Sequence, residues 1–247
     1  MSVAPAVLFP LTLAGLLDYV LSTQSETVPT RLIVCSSRDT FLEHLSDSLR
    51  QHGGADEADR LEALVTPTLF NLFTSRHIRL VFCASVQALL AYLTAYNRPG
   101  TRHVGNSEGR ERLVLVDPLA LHASTSAYSA QGLSRTFATA AETASRTGAM
   151  LCVVECQGVR RKMDDHDEDT MMEEDALEGP PTMQEDEGDE KDPWDQEVSI
   201  LNVSARRFGS GSRDRAWAGR TVKAKRIAGR WFLFHQLVHN QTPQVAQ

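Results

Sequence analysis

The sequence predicts an α/β domain: a mainly parallel sheet flanked by helices, closed by an antiparallel hairpin near the carboxyl terminus. Three observations predict it. Short apolar runs alternate with amphipathic stretches five times before the terminal hairpin. Those runs are unbroken, as in "RLVLV" and "LCVV", which suits strands buried on both faces. A chain of 247 residues, 42% hydrophobic, is also long enough to bury a substantial core.

The elements follow in order. "AVLF" (6–9) is a short strand, and "LAGLLDYVLSTQ" is the helix after it. "RLIVCSS" (31–37) is a strand leading into "DTFLEHLSDSLRQHG", where Asp39 can cap the helix and Gly53 can stop it. The second half of "TPTLFNLFTSRHIRLVFCAS" reads as a strand before the helix "VQALLAYLTAYN". "RERLVLVDPLALHA" (110–123) reads as a buried strand ending on Asp117. The long helix "SAQGLSRTFATAAETASRTG" and the strand "AMLCVVEC" (149–156) come next. "VSILNVS" then joins "RTVKAKRIAGRWFLF", which alternates enough for a β-hairpin or a pair of edge strands. "TPTLFNLFTS" and the first helix are apolar enough to face a partner, and core packing accounts for them equally well.

The net charge of −7 hides a division. From Asp164 to Glu197 there are 17 acidic residues and one basic residue, Lys191, so the remaining 24 basic and 15 acidic residues leave a basic body. A stretch so charged and so poor in large apolar residues cannot offset its ordering entropy, and it is predicted to be a disordered insertion. The domain therefore divides into a core over 1–163, the insertion over 164–197, and carboxyl-terminal strands with a basic loop over 198–247. In that loop Arg206, Arg207, Arg213, Arg215, Arg220, Lys223, Lys225 and Arg226 form the candidate DNA-binding set, with Phe208 and Trp217 available to stack on bases. The other reading is a solvated hairpin whose charges protect a sheet edge, or one that holds the acidic insertion in cis.

The four cysteines lack paired CxxC spacing and read as core thiols of a reducing compartment. The apolar amino terminus has no basic region before it, and no run reaches the roughly 18 apolar residues of a membrane span, so a soluble intracellular protein without membrane contact is expected.

Asp117, at the end of a central strand, stands where a nucleotide-binding domain holds its metal-linked carboxylate. Such a domain also needs GxxxxGK followed by Ser or Thr, because glycines let backbone N–H groups wrap phosphates while Lys and the hydroxyl meet the terminal phosphate and Mg²⁺. The first strand is followed by "PLTLAGLLDYV": Gly15 stands alone, and Leu16 and Leu17 occupy the Lys and hydroxyl positions. The other register, "CSSRDTFLEHL", has neither glycine nor lysine. Asp117 is then a relic of the Walker B position or a helix cap, and Glu155 is a satisfied strand-end residue. No HExxH or GxSxG motif is present, and His235 with His239 has only i, i+4 spacing. No cofactor, metal or catalytic residue is expected.

This order of elements resembles the RecA-type core with its phosphate loop lost. "PLTLAGLL", "RLVLVDPLALH", "AMLCVVEC", "PWDQEVSILN" and "AWAGRTVKAKRIAGRWFLF" are most similar to the small subunits of the fungal Shu complex and their animal counterpart, the partner of the SWIM-domain protein. The resemblance implies a nuclear pseudo-ATPase that pairs with another RecA-like subunit or a SWIM-domain protein. It also implies DNA contact through basic loops and help for a strand-exchange recombinase filament in homologous repair. The acidic insertion departs from that pattern, since it occupies the region of a recombinase's DNA-contacting loop. The alternative of the same fold is an Elongator accessory subunit, a ring component in tRNA modification, which would place the chain in the cytoplasm.

The basic cluster generates a direct test. Replacing Arg213, Arg215 and Arg220 by Ala is expected to weaken single-stranded DNA binding and to flatten its salt dependence by about 0.7 per lost phosphate contact in log–log slope. An unchanged slope in fluorescence anisotropy titrations removes that loop from the interface.

Overall fold

A computed structural model describes residues 4–25, 28–51, 66–97, 110–158, 192–200 and 220–237. Its centre is a six-stranded parallel sheet of order β3-β2-β4-β5-β1-β8. The strands are β1 (Ala6–Phe9), β2 (Thr30–Val34), β3 (Ile78–Phe82), β4 (Arg112–Val116), β5 (Met150–Val154) and β8 (Leu233–Gln236). Two more, β6 (Glu197–Ser199) and β7 (Thr221–Lys223), form a separate antiparallel pair. The helices are α1 (Leu13–Ser22), α2 (Arg38–Gln51), α3 (Leu69–Ser75), α4 (Val86–Ala95), α5 (Pro118–Ala123), α6 (Ala130–Thr147) and α7 (Ala224–Ala228). The expected mainly parallel sheet with flanking helices is the one observed, and the antiparallel pairing near the carboxyl terminus is present as the β6–β7 pair, apart from the main sheet. No helix among the described residues is long and apolar enough to cross a membrane.

The unbroken apolar strands have a simple cause: both faces of the sheet are covered. Leu113 and Leu115 of β4 point into one core with α4 and α6, whereas Val114 and Val116 point into a second core with α1 and α2. Each strand alternates sides with period two. Helix α6 carries the longest apolar stripe, Leu133, Phe137, Ala140 and Ala144, all buried. Its ends are fixed locally. Ser129 caps it by accepting from the Gly132 amide at 3.1 Å, and Gly148 stops it in the left-handed conformation at φ 68°. Gly132 is required there, because a Cβ would meet the Ala127 carbonyl oxygen at 2.1 Å.

The carboxyl-terminal elements differ from the expected hairpin. "RTVKAKRIAGRWFLF" forms strand β7, helix α7 and strand β8, and the antiparallel partner of β7 is β6. Ala224, Ile227 and Ala228 are spaced for a helix face, and that face is buried against α6 and the 3-10 turn Pro193–Asp195. The chain then runs along β1, where Phe234 sits opposite Val7 in parallel register. Composition assigns residues 192–197 to the acidic insertion, yet they are folded: Trp194 is fully buried. Its ring meets Phe234 edge-on at 5.5 Å and Phe137 at 6.4 Å, and Phe232 packs edge-on against Phe137 at 5.3 Å. The rest of the acidic stretch, 164–191, lies outside the described residues.

This aromatic cluster joins the far end of the chain to its middle. Phe137→Ala is expected to cost about 3–5 kcal/mol, whereas Leu42→Ala, at a site 48% exposed, changes stability by less than about 0.5 kcal/mol. Urea unfolding checks both, as a shift in midpoint for the first variant and none for the second.

Candidate functional site

In an open parallel sheet the carboxyl ends of the strands form the edge at which ligands bind. Here that edge is built from the turn after β1, from Cys35–Ser37 after β2, from Asp117 after β4 and from Glu155–Gln157 after β5. The backbone after β1 is tied to the backbone after β5, with the Gln157 amide donating to the Leu11 carbonyl at 2.8 Å beside a parallel bridge between Thr12 and Gln157.

The first turn of α1 is the place where a phosphate loop would offer amides. Two of its donors have side-chain acceptors within the chain. The Gly15 amide donates to Thr12 Oγ1 at 3.1 Å, and the Ala14 amide donates to Ser48 Oγ of α2 at 3.2 Å. A helix N-terminus attracts anions because its first amides lack partners. This one has been satisfied by two hydroxyls.

The two strand-end carboxylates exchange roles. Asp117 occupies the N-cap position of α5 in a left-handed conformation, φ 57° and ψ 45°, and makes no side-chain cap to that helix. Its Oδ1 instead accepts from the Cys156 amide, across on the exit of β5, at 2.7 Å. Glu155, on that same exit, reaches back: Oε2 accepts from the Leu119 amide and Oε1 from the Ala120 amide, each at 2.8 Å. Glu155 is therefore the acceptor for the start of α5, a role that sequence position alone offers to Asp117. Both carboxylates are buried. Among the described residues no group of three or more His, Cys, Asp or Glu side chains is placed to hold a metal ion.

Burial pushes the Asp117 carboxyl above its ordinary value, against the opposing pull of the Cys156 amide and thiol and of His44. Burial, and then the Asp117 and Glu155 charges, push the Cys35 and Cys156 thiols well up, so both stay protonated. All four cysteines are unpaired, and these two behave as core groups and not as nucleophiles.

The predicted basic set is divided. Arg206, Arg207, Arg213 and Arg215 lie outside the described residues. Arg220 is exposed at the start of β7, and its carbonyl accepts from the Ile200 amide at 3.1 Å. Lys223 is paired with Asp195 at 2.9 Å. Lys225 places its ammonium over the rings of Phe9 and Phe234, at 5.1 and 5.4 Å from their centroids. Arg226 is exposed on α7. Arg230, Trp231 and His235 are exposed near it, on the turn after α7 and on the open edge strand β8.

A cavity of about 350 Å³ lies elsewhere, at the opposite end of the strands, lined by Arg31, Arg79, Tyr92, Ala95, Tyr96 and Asn97. Arg31 is committed within it: Nε bonds Glu111 at 3.3 Å, Nη1 donates to the Tyr92 hydroxyl at 3.2 Å, and the guanidinium lies over the Tyr96 ring at 4.9 Å. Burial and the neighbouring Glu111 carboxylate push the Tyr96 hydroxyl up. Sequence reasoning missed this cluster and also missed Ser48. Neither has a local signal, since each depends on residues dozens of positions apart.

The carboxylate exchange has a signed consequence. A carboxyl whose folded pKa is raised contributes stability below its unfolded value of 3.8 and loses it as pH rises through the folded value. Asp117→Asn keeps an acceptor for the Cys156 amide and removes the charge. The stability difference between variant and wild type is therefore expected to move in the variant's favour as pH increases from 4 toward neutrality, as measured by urea unfolding at several pH values. Glu155→Ala strands the Leu119 and Ala120 amides and is expected to cost on the order of 1–3 kcal/mol.

No family model matches this sequence, and no curated protein matches it. Among solved structures it is similar to one described as an ATPase domain, at 10% sequence identity and a TM-score of 0.35. The match covers 63% of this chain and 58% of that one, so the chain spans somewhat over half the length of the domain it resembles.

Proposed function

We propose that this chain is a non-hydrolysing accessory subunit of RecA type that acts in homologous-recombination repair in the nucleus. In this reading it pairs with another RecA-like subunit or a SWIM-domain protein, contacts DNA through its basic residues and promotes assembly of a strand-exchange recombinase filament. The observation that carries the reading is the occupied first turn of α1. An ATPase needs those amides for phosphate, and here Thr12 and Ser48 take two of them while Leu16 and Leu17 stand where a lysine and a hydroxyl would serve. The exchanged carboxylates support the same conclusion, because Asp117 Oδ1 and both Glu155 oxygens accept from backbone amides. A domain arranged in this way contributes surfaces, not turnover.

Mg²⁺–ATP is expected to leave the thermal midpoint unchanged and to remain unhydrolysed. A true ligand at about 100 times its Kd would add about 2.7 kcal/mol of stability, so a shift of several degrees refutes the reading. Tagging the protein in its own cells and identifying co-purifying chains tests the pathway. Recombination proteins are expected, and a set of tRNA-modification ring subunits overturns it.

A further inference from the structure

Helix α3 has its polarity reversed. Only Thr74 is buried, while Leu69, Phe70, Leu72 and Phe73 are 86, 64, 55 and 46% exposed. A surface helix ordinarily turns such residues inward. Strand β3, which follows, is an edge of the sheet and among the described residues pairs with β2 alone. It leaves Leu80 and Phe82 46 and 37% exposed. Strand alternation puts these two on the side of Ile78, which packs into the core under α1 and α2, and the Phe82 ring meets Phe41 of α2 at 5.6 Å. Helix α3 contacts both α1 and β3, so all six apolar side chains lie on one side of one edge. At about 150–250 Å² per large side chain, their exposed fractions leave roughly 500–800 Å² of apolar surface in water. That reaches or exceeds the largest patch of a typical monomer, about 300–600 Å², and approaches the ~800 Å² that one partner gives to a standard interface.

We infer that a second copy of this chain covers this face, with two β3 strands joined antiparallel across a two-fold axis through Leu80. The backbone carries the argument. The His77 carbonyl accepts from the Thr30 amide and the Cys83 amide donates to the Val34 carbonyl, both at 2.8 Å, so the odd-numbered residues of β3 face β2. Alternation then turns the N–H and C=O groups of Ile78, Leu80 and Phe82 to the open edge. With the axis at Leu80, that residue meets the partner's Leu80, and Ile78 meets the partner's Phe82. Every outward-facing amide and carbonyl of the three residues gains a mate. Arg79 falls opposite the partner's Val81, so no like charges oppose one another, whereas an axis at Arg79 would set two guanidinium groups face to face. The alternate residues Ile78, Leu80 and Phe82 are apolar in mirror order about the centre, as suits an isologous contact. The axis is normal to the sheet, so both α3 helices lie on the same face and close their apolar surfaces over the seam. This inference does not depend on the proposed function.

Sedimentation velocity and light scattering of the full chain at micromolar concentrations are expected to give a dimer. Leu80→Lys and, separately, Phe70→Glu are expected to halve the mass; the second lies on an exposed helix face and preserves folding should the first disturb β3. Leu80→Cys is expected to cross-link to itself under mild oxidation. A hydrogen-bonded antiparallel pair holds its Cα atoms about 5.5 Å apart, within the ~4.4–6.8 Å that a disulfide spans. A monomeric wild type overturns the inference. A dimer that survives both charged substitutions, or a Leu80→Cys chain that does not cross-link, overturns the β3 seam.

Discussion

A parallel sheet delivers the last residue of every strand to the same edge, so the amides of the following turns and helix starts crowd together there, and each needs an acceptor. Nucleotide-binding proteins leave some of those amides for phosphate oxygens. This chain supplies the acceptors itself. Thr12 and Ser48 serve the start of α1, Glu155 serves the start of α5, and Asp117 serves the exit of β5. Each acceptor except Thr12 comes from a different element than the amide it serves, which binds α1 to α2 and β4 to β5. The same hydrogen bonds tie the neighbouring turns at the sheet's carboxyl end to one another.

The second constraint concerns the last third of the chain. The polypeptide leaves the sheet after β5 and returns at Asp192, where Pro193 and Trp194 enter the aromatic core beside Phe137, Phe232 and Phe234. That return anchors β8 along β1 and sets the surroundings of two of the candidate nucleic-acid residues. Lys223 is drawn to Asp195, and Lys225 is drawn over the Phe9 and Phe234 rings. Arg226, Arg230 and Trp231 are exposed beside β8, which pairs with β1 alone among the described residues.

Among the described residues the two edge strands, β3 and β8, each pair with one neighbour, and they differ in character. Near β8 the exposed groups are mixed, with basic and aromatic side chains together, whereas near β3 they are mostly apolar and continue onto α3. An apolar open edge is hazardous for a soluble chain unless something covers it. The two edges thus present different chemistry, a mixed basic and aromatic surface at β8 and an apolar one at β3.

Local chemistry made much of the fold legible. The Val- and Leu-rich runs mark strands, because only a sheet covered on both faces accepts unbroken apolar residues, and Ser129 and Gly148 bracket α6 because caps act within one turn of the helix. The missing glycines and lysine after β1 could likewise be read directly, since a phosphate loop is one contiguous segment. Other features were decided only when distant residues met. "AKRIA" is a helix because α6 and the Pro193–Asp195 turn cover its apolar side, and "LFNLFTS" is a helix that leaves its apolar side chains exposed. Asp117 and Glu155 trade caps because β4 and β5 are neighbours in space, 38 positions apart in the chain by their carboxylate residues. Hydrogen-bond acceptors are chosen by proximity in three dimensions, and sequence order does not encode that proximity.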